Sequence, residues 1–349
     1  MLKRVSLMLG LVAVAAVSMA VAGGKQDYSW QLTPTGSPAR LRGLSVVSER
    51  VVWTSGSLGT VLRTTNGGAT WQSVGPPGTS SLQFRDLEAF DADTALILSI
   101  GDTPDAFRIY RTTSGGASWQ LVFQNTEPTA FYDCMTFFDK QRGLALSDPI
   151  DGRFRILGTS DGGRTWSIVQ ADMPPALAGE FAFAASGQCI TSAGGRDAWF
   201  ATGGGSIARV FHSSDRGQTW TVANTPVRSG PSAGIFALAF RDTRHGLAVG
   251  GDFLAETASP DAFALSDDGG ASWRLVEAAP DEYRSGAHWV TGTIAIAVGP
   301  SGSDVSVDQG RSWTRFDSGT FDTVDCAGGF VCWASGAQGR VAELERGDD

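Results

Sequence analysis

Nine residues could do chemistry together if the fold brings them to one place. Three are arginines, Arg42, Arg85 and Arg284, whose planar guanidinium forks suit a carboxylate held by two parallel hydrogen bonds. Four are aspartates, Asp86, Asp133, Asp148 and Asp252. Among them Asp86 and Asp133 are the candidates for an acid/base pair of the kind that cleaves a glycosidic bond. Tyr132 and Tyr283 immediately precede Asp133 and Arg284 and add two phenols. Arg42, Arg85-Asp86, Tyr132-Asp133 and Tyr283-Arg284 each open an apolar, strand-like run, whereas Ser147-Asp148 and Gly251-Asp252 each close one. A structural reading competes with the chemical one. Asp at a strand end is an ordinary turn signal, and arginines pair with carboxylates along water-filled channels.

Such a set is useful only on a scaffold that aligns strand ends, and the chain has one. The pattern Ser/Thr-x-Asp-x-Gly-x-x-Trp recurs six times, with replacements. It runs through Asn66 and Trp71, Ser114 and Trp119, Asp161 and Trp166, Asp215 and Trp220, Asp268 and Trp273, and Asp308 and Trp313. The tryptophans stand 48, 47, 54, 53 and 40 residues apart, the length of a four-stranded propeller blade. In each copy the Asp or Asn oxygen accepts backbone N–H bonds within a turn, the Gly takes positive φ, and the Trp opens the next strand. These positions are therefore expected to be structural.

Two further features set the blade count. Residues 54–61 match residues 334–341, but the second copy ends before any turn or Trp. Ser29-Trp30-Gln31-Leu32 resembles Ser118-Trp119-Gln120-Leu121, an outer strand with no blade in front of it. If residues 28–32 complete a blade formed by about 321–344, the chain makes an all-β, seven-bladed propeller over 28–344, and no sheet edge is left open. A six-bladed ring with frayed ends is the alternative. With strands A to D running from channel to rim, all six Trp motifs become C–D turns on one face. The irregular segments 75–83, 125–130, 171–186, 224–234 and 251–261 gather on the other, with the nine residues at its channel mouth. Long loops on a rigid scaffold are where binding and chemistry usually sit.

Composition bounds the partners. Of 349 residues, 45 are Gly, 11 Trp and 19 Phe, and 18% are charged, with a formal net charge of −9. Lys3 and Arg4 precede the apolar run 5–22, which ends in Ala20-Val21-Ala22. This reads as a signal peptide over 1–22, with a linker over 23–27 and a tail over 345–349. A periplasmic or secreted protein is expected, and an uncleaved anchor is the alternative. Removing Lys3 and Arg4 makes the charge −11, a poor match for nucleic acid or anionic membranes. A monomer is expected. Cys134, Cys189, Cys326 and Cys332 allow three pairings, one of them a bridge across the turn between Cys326 and Cys332. With three His residues and no CxxC, neither a metal site nor a cofactor is expected. Gly203-Gly204-Gly205 lacks a strand–GxGxxG–helix context, and no GxSxG appears.

The Trp motif is the Asp box. It resembles the repeats of sialidases, of sortilin-type receptors and of photosystem II stability/assembly factor-like propellers. Over 28–344 the chain is most similar to the last of these, through the run Val61-Leu62-Arg63-Thr64-Thr65-Asn66-Gly67-Gly68-Ala69-Thr70-Trp71 and the Trp-x-x-Gly-x-x-Gly beginning at Trp53. That resemblance implies an exported, non-catalytic scaffold that binds a protein partner. Sialidases carry Phe/Tyr-Arg-Ile-Pro near the start, and here Phe107-Arg108-Ile109-Tyr110 lacks the Pro. A glycan-active hydrolase or lyase working at the mouth is the second expectation.

Overall fold

The computed structural model describes residues 27–347, so the expected signal segment 1–22 and most of the expected linker lie outside the described residues. Seven antiparallel four-stranded sheets stand around a central channel. Their innermost strands are Leu41–Val46, Gln83–Ala89, Tyr132–Phe137, Ile190–Ala193, Ala233–Phe240, Gly286–Trp289 and Thr323–Cys326. We number the blades 1 to 7 in that order. In blade 7 the outer strand is Tyr28–Leu32, paired antiparallel to Val341–Arg346 with Trp30 opposite Leu344. The ring is thus closed by both ends of the chain, and the last strand runs two residues past the expected end at 344.

Each blade is apolar on both faces because it is packed between two others, and the core consists of seven clusters, one per pair of neighbours. Leu41 and Leu62 of blade 1 meet Trp333 and Val341 of blade 7, which seals the closure. Trp30 packs on Phe316 and Phe321, and its Nε1–H donates to Ser303 Oγ at 3.0 Å. The motif tryptophans serve the same seams. Trp71 sets its edge against Trp333, and Trp119 does so against Trp53, in each case reaching the preceding blade.

All six Trp motifs connect strands C and D. In the third, Thr159 Oγ1 donates to Asp161 Oδ1 at 2.9 Å and accepts the Gly163 N–H at 3.0 Å. Asp161 also accepts the N–H and the hydroxyl of Thr165, at 3.0 and 2.7 Å. Partial burial pushes the Asp161 carboxyl up, but these bonds outweigh it and hold it at about 2. Gly163 has φ +75°, and a Cβ there would run into Leu96 of blade 2. Two disulfides, Cys134–Cys189 and Cys326–Cys332, select one of the three pairings. The second spans the A–B turn of blade 7, and the first ties the inner strands of blades 3 and 4 together.

Candidate functional site: a mouth above a plugged channel

Blade 4 has a short inner strand because the residues before it leave the sheet and cross the channel. Residues 184–188 form a strap. Arg85 of blade 2 donates to Ala184 O at 2.7 Å, and Ser186 Oγ donates to Ser285 O at 2.6 Å. The Gln188 amide donates to Ala287 O and Val324 O and accepts the Ala287 N–H, so it joins blades 6 and 7. Gly187 is at φ +77°, and a Cβ there would strike the Asp86 carboxylate. The Cys134 bridge follows at once. The segment leading into the strap is anchored by Glu180, which is fully buried against Arg209 and Thr202.

The strap divides the channel. On the Trp-turn side lies a polar cavity of about 620 Å³, lined among others by Asp86, Glu88, His288 and Asp325. On the loop-rich side lies the mouth, about 440 Å³. One wall of the mouth carries Arg40, Arg42 and Arg85 with Asp322. Arg40 grips Asp322 with three hydrogen bonds of 2.7–3.1 Å. Arg42 approaches the same carboxylate only to 3.9 Å, and among the described residues it has no hydrogen-bond acceptor. Arg85 spends its Nη groups on Ala184 O and Gln83 Oε1 and pairs with no carboxylate. Burial is the main cause that lowers both Arg42 and Arg85, and Arg85 is lowered further by the charge of Arg42 beside it.

The other wall combines carboxyls with rings. Asp133 is fully buried, and among the described residues no donor other than the neighbouring Asp148 reaches its oxygens. Asp148 accepts the Ala182 N–H at 2.8 Å. Burial pushes both carboxyls up, and Asp148 raises Asp133 further while Arg85 opposes. Phe183 stacks on Phe236 at 3.8 Å, and Phe236 meets the edge of Tyr283 at 4.7 Å. Tyr283 is buried, which pushes its phenol up. Phe253 and Leu254 on the rim stay 42% and 76% exposed, an apolar edge with nothing covering it.

Five expected site residues therefore line one pocket: Arg42, Arg85, Asp133, Asp148 and Tyr283. Four do not. Asp86 faces the cavity below the strap and accepts the Leu87 and Met135 N–H groups, while burial lifts it to about 7. The expected Asp86/Asp133 pair is thus split across the plug, and the carboxyls that meet are Asp133 and Asp148. Tyr132 belongs to the seam between blades 2 and 3, against Phe123. Arg284 is wholly buried, with its Nε 2.7 Å from Asp304 and further contacts to Glu282. In blades 2, 3 and 7 the ring of the aromatic–charged pair enters the core and the charge faces the mouth. In blade 6 the order reverses, because strand faces alternate and a one-residue slip exchanges them. Asp252 caps its own turn by accepting the Leu254 N–H.

The sequence reading missed Arg40, Asp322, Glu256 and the phenylalanines. Two signals existed. Arg40-x-Arg42 has the two-residue spacing of one strand face, and Phe321-Asp322 repeats the aromatic–charged pair of Phe84-Arg85. The irregular segment 171–186 lies on the expected face, but nothing local marks residues 184–188 as crossing the channel. Among the described residues no group of three or more His, Cys, Asp or Glu is placed to hold a metal ion.

Neither a family model nor a curated protein matches the chain. Solved structures do. YCF48 bound to D1 peptide is 14% identical with a TM-score of 0.65, spanning 91% of this chain and 94% of that one. YCF48 from Cyanidioschyzon merolae is 15% identical with a TM-score of 0.65, spanning 90% and 98%. The GH74 xyloglucanase from Xanthomonas campestris is 14% identical with a TM-score of 0.64, spanning 91% of this chain and 55% of that one. At these identities the likeness is one of fold, and at that level it agrees with the resemblance drawn from the sequence to photosystem II stability/assembly factor-like propellers.

Proposed function

We propose that the protein is an exported, non-catalytic scaffold that captures a protein partner at the loop-rich mouth, with Arg42 and Arg85 holding a carboxylate of that partner. One observation carries the reading. Two adjacent guanidiniums face an aromatic pocket with no carboxylate hydrogen-bonded to either, which is an unfilled site for an anion attached to an apolar group. The exposed Phe253 and Leu254 extend this surface outward. YCF48, a structural neighbour, has been solved with a peptide bound, and the apolar run 5–22 supports export.

The glycan-active alternative draws support from the xyloglucanase fold. Against it, the carboxyls that meet at the mouth lie side by side, whereas a glycosidase pair stands ~5–10 Å apart across a cleft. Turnover of aryl-glycosides or polyuronates would revive it.

The test uses a library of hexapeptides, each with a free and an amidated C-terminus. Free-acid peptides should bind at least tenfold tighter than their amides. The double variant Arg42→Gln/Arg85→Gln should abolish that preference while the chain stays folded, with a melting temperature lowered by a few degrees through loss of the Arg85 bond to Ala184 O. Equal binding of acids and amides would overturn the proposal.

A further inference from the structure

The proposed function employs the arginine wall and leaves the opposite wall of the same pocket without a role. Asp133 is fully buried and lines the pocket, yet among the described residues no donor from outside its pair with Asp148 reaches its oxygens. Asp148 stands beside it with one oxygen engaged by the Ala182 N–H. Arg85 is close enough to oppose the rise of Asp133, but it makes no hydrogen bond to it. A buried polar group left without a partner costs about 1–3 kcal/mol, and native structures seldom retain one without a reason. Two carboxyls held together in a poorly solvated place also keep a proton that each would lose in water.

The surroundings narrow what could complete the pair. The Asp148 N–H donates to Phe131 O, and its carboxyl holds the Ala182 N–H between Phe181 and Phe183. All three phenylalanines line the pocket. A carboxylate among phenylalanine side chains suits a cation carried on an aliphatic stem.

We propose that Asp148, backed by the buried Asp133, receives the ammonium or guanidinium head of a lysine or arginine side chain of the partner, with its stem lying along Phe131, Phe181 and Phe183. The inference rests on the reading of the mouth as a partner-binding site and adds a second requirement to it. The partner must present a basic side chain and a carboxylate close together. When the cation enters, the proton kept by the pair passes to solvent. The other charged groups facing the pocket allow this arrangement. Arg40 and Asp322 neutralise one another, Glu256 adds negative charge, Tyr283 is neutral, and Arg42 and Arg85 stand ready for the anion.

The experiment titrates the full chain at pH 7.5 with n-butylguanidinium, 1-pentanol and butyrate, followed by ligand-observed NMR. Butylguanidinium should bind at least tenfold tighter than pentanol. Asp148→Asn, at the half-buried member, should reduce that binding at least tenfold with the melting temperature retained. Asp133→Asn should do the same, and if it unfolds the chain, Asp148→Asn still decides. Butylguanidinium binding no tighter than pentanol, or binding unaffected by Asp148→Asn, overturns the inference. Butyrate bound without butylguanidinium sinks the cation site and leaves the anion site standing. The reverse sinks the anion site, and the absence of both sinks the two together.

Discussion

The two rims of this ring are built on opposite principles. On one, six turns of nearly the same sequence bond most of their polar groups internally, and their aspartates are held ionised by local hydrogen bonds. On the other, irregular segments leave Arg42 3.9 Å from the nearest carboxylate and Asp133 with no bonding neighbour but a second carboxyl. The lesson is about where agreement between local and global structure is kept and where it is given up. Repetition on the first rim stabilises six of the seven blades in the same way, so no single turn is special. Departure from it on the second costs stability and creates an unfilled site, as expected where function intrudes on folding.

The comparison can be broken most severely at Arg284, which sits behind the mouth but is wired like the structural rim. Arg284→Met should lower unfolding stability by about 3–5 kcal/mol, because Asp304 is left buried opposite an apolar side chain. Urea denaturation measures this, and a loss below 1 kcal/mol would return Arg284 to the list of binding residues.

The channel and the Trp-turn rim should also titrate in opposite senses. Asp86 has a folded-state value raised to about 7, so its proton stabilises the native state and is lost as pH rises. Stability should fall by up to about 4 kcal/mol from pH 4 to 7 and stay low above, with Glu88, Asp133 and Asp148 adding in the same direction. Asp161, lowered to about 2, contributes stability that is lost only as pH falls from about 4 toward 2. Urea midpoints higher at pH 5 than at pH 8 are expected. A midpoint that rises over this range would contradict the assignment of buried, proton-holding carboxyls.

Smaller effects separate the plug from either rim. Gln188→Ala removes the amide that ties the strap to blades 6 and 7 and should cost about 1–3 kcal/mol. It should also speed hydrogen exchange at Leu238, whose N–H donates to Gln188 O, and unchanged exchange there would mean that the strap holds without its amide. Asp161→Ala, in a single exposed turn, should cost only about 1 kcal/mol and leave peptide binding at the mouth as it was.

Fold and site were unequally visible in the primary structure. The turn motif, the blade length and the orphan outer strand around Trp30 are local patterns whose meaning depends on nothing distant, and they were enough for seven blades and for the closure. Charges at strand starts were enough to point to the mouth. Their facing was harder to read, because the one-residue slip that buries Arg284 and turns Tyr283 outward is invisible without the register of neighbouring strands.

What the order of residues determined alone was therefore the ring, through spacing, turn chemistry and the burial of one aromatic per seam. What only the tertiary structure decided was the path of residues 184–188 across the channel, and with it the separation of Asp86 from Asp133 and the meeting of Asp133 with Asp148. The physical reason is that a propeller repeats its short-range interactions but not those across its axis. There, one strap bonded to blades 2, 5, 6 and 7 sets which side chains share a cavity, and no window of sequence contains all of its partners.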